Sequence, residues 1–438
     1  MQYYSTNHSV PEVSLRDAVI QGIAGDRGLF MPERIERLPD SFYQTIHERP
    51  FREISFQVAK SFFGEDIPEG DLKQLIDDTL SFDCPVIHVQ DQIYALELYH
   101  GPTMAFKDVG GRFMARLLSY FLKGRQERVN VLVATSGDTG SAVANGFLGV
   151  PGIHVYVLYP KGLVSEIQEK QFTTLGQNIT ALEVNGTFDD CQRLVKSAFL
   201  DEELRSALVL TSANSINVAR FLPQAFYYFN AYARMRQKGV NDEIVVSVPS
   251  GNFGNLTAGL FAKKMGLPVK RFIAANNEND VVYNYLKSGL YEPRKSVATI
   301  ANAMDVGDPS NFARILDLYH HSHEAIISEI EGFRYSDKEI KKIVREVYAQ
   351  SGYLLDPHGA TAYQALVESL REGEAGVFLE TAHPAKFLDT IQKIVGEENI
   401  QVPEKLAGFL KGEKLSVPLE KEFEYFKAFL LSDAGATI

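Results

Sequence analysis

From Val129 onward, short apolar runs alternate with stretches of helical spacing, and few folds can absorb that alternation in a chain of this length. The runs are VNVLVAT, IHVYVLY, ITALEV, ALVLT, EIVVSV, VKRFIAAN and AGVFLET. They read as repeated βα units around mostly parallel sheets, so the fold class is α/β. At 438 residues the chain exceeds what one core usually supports, and two or three domains are expected. Residues 1 to about 83 differ in character, with short helices, acidic turns and a GDRGLFMP segment, Gly25 to Pro32, that lacks strand alternation. This region is predicted to form an N-terminal cap. The stretch from about 285 to 345, with YEPRKS, DVGDPSN and YHHSHEA, is predicted as a loop-and-helix insertion before the sheet resumes. No internal repeat and no low-complexity run interrupts the pattern.

Charge narrows the function. A formal net charge of −12 argues against a nucleic-acid or membrane-surface binder, both of which need clustered Lys and Arg, while leaving room for an anionic small ligand held locally. The two cysteines, Cys84 and Cys191, form no CxxC pair and no disulfide framework, as expected in a reducing cytosol. The start, MQYYSTNHSVPEVSLRDAV, has neither the apolar run of a signal peptide nor the composition of a transit peptide, and no run approaches membrane-spanning length. A cytoplasmic protein is expected.

Chemistry is expected where strands run into helices, because parallel α/β sheets place their sites there. In HGPTMAFKD, Lys107 lies between the apolar IYALELYHGPT and the helically spaced GGRFMARLLSYFL. In VLVATSGDTGSAVANGF a strand ends at Thr135, and Ser136, Gly137, Asp138, Thr139 and Gly140 open a helix. Free N–H groups and hydroxyls converging there suit an anion such as a carboxylate, although an ordinary capped helix has the same look. In VSVPSGNFGNLTAG another strand leads into Gly251, Asn252, Phe253, Gly254 and Asn255. Two glycines three apart allow close backbone approach to a ligand, and the helix dipole favours a phosphate. The loop is not GxGxxG, and the absence of any Gly-Lys dipeptide removes a Walker A reading. FLETAHPAKF ends a strand in the hydroxyl of Thr381, in itself a common helix cap. His320, His321, His323 and Glu324 form no HExxH or finger spacing and read as an exposed polar helix face, so no metal is expected. Asp356-Pro357-His358-Gly359 is either a functional loop or an ordinary turn.

Together these junctions resemble the pyridoxal-phosphate enzymes of the tryptophan-synthase β-subunit fold group and, within it, the threonine synthases. GDRGLFMP, HGPTMAFKD, ATSGDTGSA, NSINVARF, VPSGNFGN, MDVGDPSNF, DPHGA and LETAHPAKF carry the likeness in order along nearly the whole chain. Where many members of the fold group have Asn, this chain has Asp138. The resemblance implies fold type II: a cap at 1–83, a large cofactor domain of 84–110 with 226–438, and a smaller α/β domain of 111–225. It implies conversion of O-phospho-L-homoserine and water to L-threonine and phosphate by a monomer or homodimer. Lys107 would hold pyridoxal 5'-phosphate as a Schiff base and then serve as acid and base. Gly251 to Asn255 would cradle the cofactor phosphate, and Thr381 would bond the pyridine nitrogen. Ser136, Asp138 and Thr139 would surround the substrate carboxylate, with Asp138 protonated or turned away from it. Asn214, Ser215 and Arg220 of NSINVARF would take the substrate phosphate. A serine or threonine deaminase, or a binding protein that has lost turnover, would share the fold; the first would not need Arg220, and the second would not need to keep Lys107 together with the phosphate loop and Thr381.

Overall fold

The structure is a computed structural model that describes residues 1–124 and 128–435. Its first three strands are β1 (Gln2–Ser5), β2 (Val13–Ser14) and β3 (Phe30–Pro32). Next come β4 (Val86–Gln90) and β5 (Ile93–Glu97), then β6 (Val129–Ala134), β7 (Ile153–Pro160), β8 (Ile179–Asn185) and β9 (Val209–Ser212). The remainder are β10 (Glu243–Pro249), β11 (Val269–Asn276), β12 (Ile330–Arg334), β13 (Glu374–Glu380) and β14 (Val417–Glu420). They form three sheets, ordered β2-β1-β3, β12-β11-β10-β13-β5-β4 and β14-β8-β7-β6-β9. The five-stranded sheet is parallel throughout, and the six-stranded sheet is parallel except for its β4–β5 edge.

Every residue of β6 and of β13 is buried, which is why these strands read as mainly apolar runs in the sequence, broken only by Asn130 in β6 and by Glu374 and Glu380 at the ends of β13. Three short elements depart from expectation. Phe30–Pro32 of GDRGLFMP is a buried strand paired to β1, too short to display alternation. The 285 to 345 insertion contains β12, which pairs in parallel with β11. As an edge strand β12 is mostly half-exposed and carries Glu331 and Arg334, so it lacks an apolar signature. The tail departs from the division that joined 226–438 to the large domain. β14 pairs with β8, and Leu419, Phe426 and Leu430 share a core with Leu132 and Tyr156 of the five-stranded sheet. Pro418 is tolerated because β14 is an edge.

Parallel strands gather their C-terminal ends on one side, and the singled-out residues fall there. Lys107 lies beyond β5, Ser136 beyond β6, Asn214 beyond β9, Gly251 beyond β10 and Thr381 directly after β13. Among the described residues, no helix is long and apolar enough to cross a membrane.

Candidate active site

Lys107 opens the helix Lys107–Phe121, on a loop fixed from several directions. The buried Asp108 carboxylate accepts bonds from the Thr103 N–H (2.9 Å) and hydroxyl (2.6 Å). A Cβ at Gly101 would stand 2.3 Å from Asp108 Oδ2, so only glycine fits under that carboxylate. Phe106 N donates to Thr381 O at 2.8 Å, Ala105 bridges Ala382, and the Tyr227 hydroxyl donates to Phe106 O. These bonds hold the lysine stem, while its amine makes no hydrogen bond or ion pair among the described residues. Burial lowers the Lys107 ammonium to about 8, with Asp138 opposing and Arg220 and Lys386 assisting. At pH 7 roughly a tenth of it is therefore neutral, far more than of an ordinary lysine. Capture of pyridoxal phosphate by the cofactor-free protein is expected to quicken with pH and level off just above 8. Stopped-flow absorbance reads this directly, and a rate still climbing toward 10.5 would contradict it.

The helix Asp138–Phe147 begins beyond Gly137, whose φ of 142° and ψ of −81° favour glycine. Thr135 Oγ1 accepts from Gly137 N (2.9 Å) and Gly140 N (2.8 Å), and Ser136 and Thr139 remain half-buried at the opening. Asp138 does not face the opening as a free carboxylate. Its Oδ1 lies 2.5 Å from Lys386 Nζ and accepts from Gln168 Nε2 at 2.9 Å. Burial would raise this carboxyl, but Lys386 and Lys107 outweigh it and bring it down to about 2. Asp138 is therefore ionised and engaged by Lys386 and Gln168. Lys386 is fully buried and was missed by sequence reasoning, although it stands five residues past Thr381 in a motif singled out for that threonine.

In the loop after β10, Phe253 has a left-handed φ of 61° and precedes the helix Gly254–Lys264. A non-glycine residue there costs about 1 kcal/mol or more and is found where surrounding structure demands it. Asn255 closes the loop, donating to Pro249 O at 2.9 Å and accepting from Leu256 N at 2.9 Å. Asn252 donates to Ser215 Oγ (2.9 Å) and accepts from Ser310 N (2.6 Å). The glycines are constrained by protein rather than by ligand alone. A Cβ at Gly251 would lie 2.7 Å from Met304 Cα, and one at Gly254 would lie 3.1 Å from Ser215 Cβ.

The structure brings this loop against Ser215, through Asn252 and Gly254, with Asn214 lining the same cavity, whereas Arg220 packs against Gly110 and Gly111 of the helix that begins at Lys107. Asn214 spends its carboxamide on the end of β6, donating to Ala134 O at 2.9 Å and accepting from Ala134 N at 3.3 Å. Ser215 Oγ accepts from Asn252 and, at 3.0 Å, from Asn311 Nδ2, which leaves its own proton for another acceptor. Arg220 is 2% exposed, and its Nε and Nη1 have no hydrogen-bond partner among the described residues. Its backbone carbonyl approaches Gly110, its Nη1 approaches Gly111, and burial lowers it to about 10. Arg314, not singled out in the sequence, supports this wall. It donates to Asn311 Oδ1 (2.6 Å), Ser215 O (3.1 Å), Ile216 O (2.6 Å) and Phe30 O (3.1 Å). A cavity of about 730 Å³ reaches Asn214, Asn252 and Ser310 from the side of the N-terminal cap.

Thr381 is 6% exposed, and no hydrogen bond to its hydroxyl occurs among the described residues. Behind it, Asp356 accepts from Ala382 N (3.2 Å) and from His358 Nδ1 (2.6 Å), and His358 Nε2 accepts from Ala303 N (3.2 Å). DPHGA is thus a buried brace under the site. His320 and His321 occupy a turn with positive φ, rather than the helix face expected, and His323 Nε2 donates to Tyr285 O at 3.0 Å. Among the described residues no group of three or more His, Cys, Asp or Glu is placed to hold a metal.

An unbonded lysine, a glycine-bounded helix start and an unpartnered guanidinium on one side of two sheets fit a phosphorylated cofactor and a second anion. Comparisons with known proteins agree. The family described as Pyridoxal-phosphate dependent enzyme matches residues 74–379, that described as Threonine synthase N terminus matches 2–80, and that described as Threonine synthase, C-terminal matches 358–430. The threonine synthase of Haemophilus influenzae is 45% identical over 98% of this chain and 100% of its own. The crystal structure of threonine synthase from Escherichia coli superposes with a TM-score of 0.93 at 42% identity, covering 99% of this chain and 100% of that one. The pyridoxal-phosphate-bound threonine synthase from Brucella melitensis gives a TM-score of 0.91 at 33% identity, covering 99% of each chain. These likenesses extend from the N-terminal cap to the last helix, and the chain belongs to the threonine synthase family of pyridoxal-phosphate-dependent enzymes.

Proposed function

We propose that this chain converts O-phospho-L-homoserine and water to L-threonine and inorganic phosphate, with pyridoxal 5'-phosphate attached at Lys107. The observation that carries the reading is Arg220, a buried guanidinium with Nε and Nη1 unfilled beside the helix that begins at Lys107. A buried unpaired cation is costly, and a phosphate dianion offers the fork geometry that relieves it. The Ser215 proton and the second amide hydrogen of Asn214 would complete that site.

The bound cofactor supplies an electron sink that lets bonds beyond the amine-bearing carbon break heterolytically. The protein supplies the rest. Amides at Gly251 to Asn255, with the dipole of the helix Gly254–Lys264, hold the cofactor phosphate. The Thr381 hydroxyl would hold the ring nitrogen without favouring its protonation. Ser136 and Thr139, at the start of the helix Asp138–Phe147, take the substrate carboxylate. Lys107 would hold the cofactor, and its free amine would carry protons between substrate carbons, a task its lowered pKa suits.

A deaminase would have no use for Arg220, and a pure binder would have no use for an amine poised near neutral pH. Incubation with O-phospho-L-homoserine should release phosphate and threonine in equal amounts. Ammonia and a 2-oxo acid from threonine, without phosphate release, would instead identify a deaminase. We further read the protein as a cytoplasmic monomer or homodimer with no nucleic-acid or membrane partner. Its free, buried Cys84 and Cys191 suit a reducing compartment.

A further inference from the structure

The unforeseen partner of Asp138 changes what its loop can bind. A carboxylate at the first position of a helix cancels part of the positive potential that an anionic ligand would use. Here that carboxylate is met by Lys386 at 2.5 Å, and Lys386 also donates to Thr103 O at 3.0 Å in the loop that carries Lys107. The pair joins the five-stranded and six-stranded sheets. Asp138 follows β6 of one sheet, Lys386 follows β13 of the other, and Ser165 Oγ donates to Lys386 O at 3.0 Å across the same junction. Gln168 completes the surroundings of Asp138 with a bond of 2.9 Å. Both partners are buried, with side chains 0% and 4% exposed, so solvent does little to screen either charge.

We infer that Lys386 is a positioning residue that neutralises Asp138, so that the Ser136–Thr139 opening accepts the substrate carboxylate and the amine of Lys107 is not held in its charged form. The inference rests on the proposed reaction and on the reading of that opening as the carboxylate site. Its logic is one of charge balance. Without Lys386, a bare Asp138 would repel the carboxylate and favour the protonated lysine. Without Asp138 the opposite holds.

Three variants of the cofactor-loaded enzyme test this: Lys386→Met, Asp138→Asn and the two combined. The probe is L-2-aminobutanoate, which carries the amine and carboxylate of the substrate but no leaving group. Its binding is measured by calorimetry, beside a pH titration of the bound cofactor's absorbance. Lys386→Met should weaken binding at least about tenfold and move the absorbance midpoint upward. Asp138→Asn should bind as tightly as the wild type or tighter, with the midpoint moved downward. The double variant should return to within about threefold of the wild type.

A double variant no better than Lys386→Met, or a midpoint that shifts the same way in both single variants, would overturn the inference. Should Lys386→Met not fold, the Asp138→Asn arm decides, because that change is isosteric and an upward midpoint there contradicts the scheme. A wild-type enzyme that neither binds the probe nor releases phosphate from O-phospho-L-homoserine would overturn the proposed reaction instead.

Discussion

Lys107→Ala is expected to reduce threonine formation at least about a thousandfold while leaving the fold intact. The amine makes no bond that its loss would orphan, and the loop around it is held by Asp108, Thr103 and Tyr227 through contacts that do not involve the lysine side chain. Removing a group that burial already discourages from carrying charge should cost little stability, and the thermal midpoint of the cofactor-free variant should match that of the wild type. Borohydride reduction followed by peptide mapping provides the independent check. The label belongs on Lys107, and a label on Lys386, the buried lysine paired with Asp138, would move the chemistry to that side chain.

Arg220→Met should lower kcat/KM for O-phospho-L-homoserine about a hundredfold, equivalent to about 3 kcal/mol. The structure adds a second effect of opposite sign. Because the wild-type guanidinium is buried with Nε and Nη1 unpartnered, the methionine variant, which keeps an apolar stem of similar reach, should melt no lower than the wild type in the absence of phosphate. Added inorganic phosphate should raise the melting temperature of the wild type and leave that of the variant unchanged. Cofactor content should be equal in the two, since the loop from Gly251 to Asn255 is built separately. A variant that keeps both its efficiency and its response to phosphate would return Arg220 to a structural role and require another site for the leaving group.

Much of this was legible in the chain. The runs that became β6, β7, β10 and β13 announced themselves because strands covered on both faces hold few polar residues. Lys107 stood out because it lies at a strand-to-helix junction, and Arg220 because its motif resembled a known family. The edge strands β12 and β14 were illegible for the converse reason: an edge is half-solvated, so Glu331, Arg334 and Pro418 are tolerated and blur the pattern. Asn252, Asn255 and Asn214 were read as ligand contacts. The structure shows most of their hydrogen-bonding capacity committed to shaping their own loops.

The sequence by itself determined the α/β class, the succession of interior strands along the chain, the junctions at which chemistry would sit and, through resemblance, the cofactor and the reaction class. These are local properties, set by burial patterns and by residues adjacent in the chain. Only the tertiary structure decided that Asp138 is paired with Lys386, that Arg314 supports Ser215 and Asn311, that Arg220 Nε and Nη1 have no partner among the described residues, and that the tail rejoins the five-stranded sheet. Each depends on groups far apart in sequence meeting at short range. A buried lysine looks no different from a surface one until the fold shows what surrounds it, because the energy of a charge is set by its neighbours and by the absence of water.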